Sequence, residues 1–142
     1  MQNDRIYIKL SPKGYNKVGD RMQEFILLSM IFLHVVADFY LQGILATFKQ
    51  SKYWQEHVGG ELDFIPALLA HSFSWTFLIM LPIAIYSHFI ISETFLLLFL
   101  INIILHAFID HLKANRHAIT LCTDQGLHYI QIALTWLILG IL

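Results

Sequence analysis

Four stretches of roughly twenty mostly apolar residues, at about 24–43, 64–86, 94–112 and 125–142, take up most of this 142-residue chain, and each matches the hydrocarbon thickness of a bilayer. Composition agrees with a membrane as solvent. The chain is 57% hydrophobic and 13% charged, with mean hydropathy +0.62, against roughly 45–50% apolar and about 25% charged in soluble domains. A chain this short has no core large enough to hide so much apolar surface from water. The predicted fold class is all-α: a polytopic four-helix transmembrane bundle over residues 22–142, preceded by a polar basic arm over residues 1–21.

Within that plan, Pro66 falls in the opening turn of the second span, where a missing N–H costs least. A tight turn around Ser87 and His88 joins spans two and three, and Ser92 or Thr94 is placed to cap the third helix. The loop 44–63, with Lys49, Lys52, Trp54, Glu56 and His57, continues the first helix or lies in the interface. Four spans put both termini on one side, the terminal side, and the loops after spans one and three on the other, the loop side. Basic residues are balanced between Arg5, Lys9, Lys13, Lys17 and Arg21 in the arm and Lys49, Lys52, Lys113 and Arg116 on the loop side. With Met22 as the original start and the arm as an extension, the loop side is cytoplasmic. The expected location is the bacterial cytoplasmic membrane, crossed several times.

A net charge of -1 and a pI near 6.7 exclude a general nucleic-acid footprint. The single cysteine, Cys122, excludes an intrachain disulfide and any multi-thiolate metal site. Phosphate-binding glycine loops and serine nucleophile elbows are absent from the sequence. Any metal must therefore be held by nitrogen and oxygen.

The spans carry those ligand types. Ionisable groups in hydrocarbon cost about 2.5–3.5 kcal/mol each at mid-span on the lenient scale, so they need partners or a task. His34 and Asp38, His106 and Asp110, and Asp124 and His128 are each four residues apart, which stacks each imidazole and carboxylate on one helix face. His71 adds a fourth imidazole from span two. All seven fall toward the loop-side ends of their spans, provided the first span leaves the hydrocarbon near Gly43. The candidate metal ligands are thus His34, Asp38, His71, His106, Asp110, Asp124 and His128, with Asp38, Asp110 and Asp124 as candidate catalytic carboxylates. These exceed the three protein ligands of a usual catalytic zinc, so either two metals share the site or some carboxylates serve as base or as outer support. Gln42 and Gln125 are placed to orient ligands. The bland reading of the same residues is packing: His–Asp pairs as interhelical glue, Asp124 as a helix N-cap, Lys113 as a snorkelling cation, and His57, His88, His111 and His117 as solvated loop groups.

The motifs H-x-x-x-D-F-x-L-Q at His34–Gln42, a following lysine (Lys49 or Lys52), His71, H-x-x-x-D-x-x-K at His106–Lys113 and D-Q-x-x-H at Asp124–His128 resemble domain-of-unknown-function family 3307, small bacterial membrane proteins without an assigned activity. The resemblance covers the chain from Glu24 onward and leaves out the arm. A looser likeness, by analogy only, is to membrane-embedded metal-dependent hydrolases such as alkaline ceramidases. The expected function is an intramembrane metal-dependent hydrolase using zinc, or else manganese or iron. Its substrate would be lipid-linked or membrane-delivered, with Lys113 and Arg116 favouring an anionic lipid headgroup. A proton- or divalent-ion-coupled transporter and a non-catalytic membrane subunit are the alternatives. The enzyme reading stands on one geometric expectation: the imidazoles of His34, His106 and His128 lie on the bundle's inner face within mutual reach of one or two ions, and His71 faces the same cavity from the second span.

Overall fold

A computed structural model describes residues 12–57, 59–60 and 62–141, and among these every regular element is helical. Helix α1 spans Pro12–Val35, opening on a proline whose fixed φ and missing N–H suit a first turn. It runs across Met22 without a break, so residues 12–21 of the expected arm are helical, while residues 1–11 lie outside the described residues. A π-helical turn at Val36–Tyr40, closed by the Leu41 N–H donating to the Val36 carbonyl at 2.9 Å, ends the helix. Gly43 then takes φ +48°, a conformation that costs glycine nothing. The first span therefore stops at Tyr40, which leaves Asp38 in its last turn.

The expected loop holds two short helices, α2 (Leu45–Phe48) and α3 (Ser51–His57). Helix α4 (Phe64–Tyr86) keeps the expected bounds, and α5 (Glu93–Ala114) is capped by Ser92, whose hydroxyl accepts from the Phe95 N–H at 3.1 Å. Helix α6 spans Leu121–Ile141. The Thr120 hydroxyl accepts from the Thr123 N–H, so Asp124 lies inside the first turn of α6 and is not its cap.

Helices α1 and α5 each pack against both α4 and α6, which closes a ring of four long helices. Burial in this ring is inverted relative to a water-soluble bundle. Phe25, Phe32, Phe73, Phe77, Leu100 and Leu134 face outward, while His34, His71, His106, Asp110, Asp124 and His128 are buried. That arrangement suits lipid outside and paired polar groups within. Three helical segments, Arg21–Tyr40, Phe64–Tyr86 and Glu93–Ala114, are long and apolar enough to cross a membrane. Helix α6 is equally long but is not among them, because Asp124, Gln125, His128 and Gln131 lower its apolar content. The terminal-side half of the ring is filled by Ile26, Met30, Ile79, Met80, Ala84, Phe95 and Ile132.

At the other end, α2 and α3 lie over the ring. Asn115 clamps them: its Oδ1 accepts from the Ser51 N–H at 2.6 Å and its Nδ2 donates to the Lys49 carbonyl at 3.0 Å. Trp54 packs on Phe64, Leu68 and Ala107. This clamp drives Lys49 into the interior, where it is buried.

Candidate metal centre

Helical spacing aims each polar side chain inward, and the common depth of the four helix ends brings them together. The ring centroids of His34 and His128 are 5.7 Å apart, those of His106 and His128 4.2 Å, and those of His71 and His106 5.1 Å. All seven candidate residues thus meet in one interior cluster, but the reach of a shared ion that the geometric expectation also requires takes in His106 and His128 and not His34.

The tightest convergence is at His71 Nε2. It lies 3.4 Å from Asp38 Oδ1, 3.4 Å from Asp110 Oδ2 and 3.2 Å from His106 Nε2. His106 Nε2 is in turn 3.9 Å from Asp38 Oδ1 and 3.7 Å from Asp110 Oδ2. Atoms set about 2.0–2.1 Å from a zinc ion at tetrahedral angles stand roughly 3.3–3.4 Å from one another. Asp38, His71 and His106 therefore offer one oxygen and two nitrogens at nearly coordinating separations. The π-helical turn carries Asp38, and its carboxylate reaches α4 through Oδ1 while Oδ2 stays 3.7 Å from His34 Nδ1. Gln42 donates to the Asp38 carbonyl at 3.0 Å and places its amide nitrogen 3.4 Å from His71 Nε2, closing the cluster toward the loop side.

A second grouping joins His106, Asp110 and His128. Its imidazoles are stacked at an interplanar angle of 27°, so their in-plane lone pairs run side by side. The His71 and His106 rings are tilted by 57°, which lets their lone pairs converge, and the first grouping is the better ligand set. His106 is held in place by two near-parallel rings, Trp75 and His128, each with its centroid 4.2 Å away.

The remaining candidates surround this core. Asp110 Oδ2 accepts from Lys49 Nζ at 2.6 Å, both groups buried. Asp124 Oδ2 accepts from Lys113 Nζ at 2.9 Å. Lys113 is thus an ion-pair partner, and the snorkelling reading gives way to it because the carboxylate one helix away is wholly buried. His128 Nε2 stands 3.7 Å from Asp110 Oδ1 and 3.6 Å from Asp124 Oδ1. His34 is in neither ligand grouping; its ring contacts Trp75 and Gln125. His111 is half-buried, stacked on Phe64 with ring centroids 5.6 Å apart, whereas His57, His88 and His117 are exposed as expected.

Several buried atoms here have no hydrogen-bond partner among the described residues: Asp38 Oδ1, Asp124 Oδ1, Nδ1 of His106 and both ring nitrogens of His128. Unpaired buried carboxylate oxygens are costly, and their concentration around His71 and His128 marks a place for a cation. Charge points the same way. Asp38, Asp110 and Asp124 face Lys49 and Lys113, so with neutral imidazoles the cluster has one net negative charge, which favours a cation; an imidazole proton cancels it and a divalent ion leaves one net positive charge.

Three contributors were not singled out from the sequence as site residues. Lys49 was visible only as one of two lysines following the first motif. Trp75 gave no signal beyond its place four residues after His71. Gln131, three residues after His128, donates to the Asn102 carbonyl and side chain at 2.9 and 2.8 Å and extends the polar stripe of α6 toward Thr135.

No family model, curated protein or solved structure matches this chain.

Proposed function

We propose that this chain is a four-span protein of the bacterial cytoplasmic membrane that binds one divalent metal through Asp38, His71 and His106 and hydrolyses a lipid-linked or membrane-delivered substrate. The observation that carries the reading is the near-coordinating spacing of Asp38 Oδ1, His71 Nε2 and His106 Nε2, a two-His, one-carboxylate set; Asp110 Oδ2 is equally near both nitrogens but is engaged by Lys49, whereas Asp38 Oδ1 has no hydrogen-bond partner among the described residues. Placing α6 as the fourth span keeps its polar face against the ring and turns Ile130, Leu134 and Ile138 outward. The likeness to family 3307 rests on the same residues.

Zinc is the first choice, since when bound it lowers the pKa of a water to about 7. The chain's own residues supply the rest. Asp110 Oδ2 faces both proposed metal-binding nitrogens; it would accept the proton that water gives up as its oxygen adds to the substrate's acyl or phosphoryl centre, and return it to the leaving oxygen as the ester bond breaks. Lys49 holds Asp110 as a carboxylate and offsets negative charge developing on the substrate oxygen. Asp124, tied to Lys113 and Gln125, supports the far side of the cluster.

The transport alternative needs polar groups through both leaflets, and the terminal-side half of the ring is filled by Ile26, Met30, Ile79 and Met80. Elemental analysis of protein purified without chelator tests the metal reading, with about one equivalent of a transition metal expected. A value under about half an equivalent sinks it. Hydrolysis of lipid-linked esters in mixed micelles, lost in His71→Ala and on chelation, tests the reaction. Metal without hydrolysis of any such substrate leaves only a non-catalytic metal site.

A further inference from the structure

Among the described residues, His34 is the one candidate imidazole whose two nitrogens both have hydrogen-bond partners, and those partners fix its protonation pattern. Trp75 Nε1 lies 2.8 Å from His34 Nδ1. An indole N–H only donates, so Nδ1 is an acceptor and the ring proton sits on Nε2. That proton is donated to Gln125 Oε1 at 3.0 Å. The opposite end of the amide is equally constrained: Gln125 Nε2 donates to Asp38 Oδ2 at 3.2 Å and to Asp124 Oδ2 at 3.0 Å, and carboxylates only accept. Each link has one allowed direction. The last one occupies Asp38 Oδ2 and leaves Oδ1, buried and without a hydrogen-bond partner, turned toward His71 and His106.

We propose that Trp75, His34 and Gln125 form a one-way hydrogen-bond relay that holds the Asp38 carboxylate in its metal-facing orientation, so that His34 is a positioning residue and not a ligand. The relay joins α4, α1 and α6, and it explains why His34 keeps its i,i+4 spacing to Asp38 yet stays outside both ligand groupings. It also gives Trp75 two tasks, since the same indole stacks on His106. Outer groups of this kind typically change metal affinity by 10- to 100-fold when removed. The inference rests on the metal-site reading above.

The test uses the full chain in detergent with zinc as the probe. Zinc affinity is measured by competition with a chromophoric chelator for the parent, Trp75→Phe and Gln125→Glu. Phenylalanine keeps an aromatic face for His106 and removes the N–H donor together with the pyrrole half of the indole. Glutamate keeps an acceptor for His34 but sets a carboxylate against Asp38 and Asp124. Gln125→Glu is expected to weaken zinc binding about 10- to 100-fold and Trp75→Phe to weaken it less. In the parent protein, which avoids any question of variant folding, nitrogen-15 spectra of labelled histidines should show His34 protonated on Nε2. Its shifts should stay put on zinc addition while one ring nitrogen of His71 and one of His106 move. Parent-like affinity in both variants overturns the relay, as does a His34 nitrogen that shifts with zinc or a proton on Nδ1. No zinc uptake by the parent at all defeats the metal-site reading itself, and the relay with it.

Discussion

The two ends of the same four-helix ring are built from opposite materials. On the terminal side, Met30, Ile79, Met80 and Ile132 interlock as an apolar plug; on the loop side, three carboxylates, four imidazoles and the Lys113 ammonium meet in one cluster with the Lys49 ammonium, which enters from the segment between α2 and α3. Between them, Asn102, Gln131 and Thr135 hydrogen-bond to one another. In lipid, apolar packing and small polar networks hold helices together, while buried charge stays costly until paired. The plug therefore maintains the ring, and the charged end is free to be organised around a ligand. The contrast is breakable by experiment, because a change in either half should move a different observable.

The largest expected effect is on metal binding. His106→Ala removes a proposed ligand whose ring also stacks against Trp75 and His128. Zinc affinity should fall by more than about 100-fold, beyond the loss caused by an outer partner, and melting should drop as well. Ile79→Ala in the plug should cost about 2–5 kcal/mol of stability and leave zinc affinity within a factor of two. If the two variants moved the same observable, the division between the halves would be wrong.

Next in size is the buried pair between Asp110 and Lys49. Asp110→Asn leaves an ammonium without its counter-charge in a closed interior, and breaking such a pair typically costs about 3–5 kcal/mol. Denaturation in detergent should show that loss, and the double variant Asp110→Asn/Lys49→Met should regain a large part of it. A double variant no better than the single would mean that Lys49 is not the group left stranded.

A smaller effect sharpens the boundary between the halves. Asn102→Leu removes the side chain shared by Gln131 and Thr135, worth about 1–3 kcal/mol where it leaves buried partners unsatisfied. Zinc affinity should not change. A tenfold drop would show that the middle network transmits to the ligand end.

How far this arrangement was legible in the sequence follows from the range of each signal. Spans and i,i+4 pairs are local, so the bounds of α4, the Ser92 cap and the shared inner face of His34, His71, His106 and His128 could be read directly. The end of the first span could be read only as an alternative, since a π-helical turn leaves no mark on an apolar run such as residues 36–41. What stayed hidden depends on contacts between distant residues. The Trp75–His34 hydrogen bond crosses 41 positions and the His34–Gln125 bond 91, and no periodicity reports on either. The i,i+4 rule made His34 a ligand candidate equal to His106, and only the position of Trp75 separates them. The hydropathy of α6 falls below that of the other three long helices, because its inward polar stripe dilutes the apolar content that a span is usually recognised by, so its place as a fourth span rests on its outward apolar face.

The smallest expected effect concerns the lysine after the first motif, which the sequence left as either Lys49 or Lys52. Both lie on the segment over the loop-side end, three residues apart, but Asn115 clamps the chain so that Lys49 enters the ring and Lys52 points away from it. Lys52 Nζ is 3.6 Å from Glu56 Oε1, with the lysine side chain 79% exposed. Water and salt screen such a pair nearly completely. Lys52→Ala should therefore leave the melting temperature and zinc affinity unchanged, while Lys49→Ala strips a buried carboxylate of its partner and lowers the first. Equal losses from the two substitutions would mean that the segment acts through its general positive charge, and the assignment of Lys49 as the interior lysine would fall.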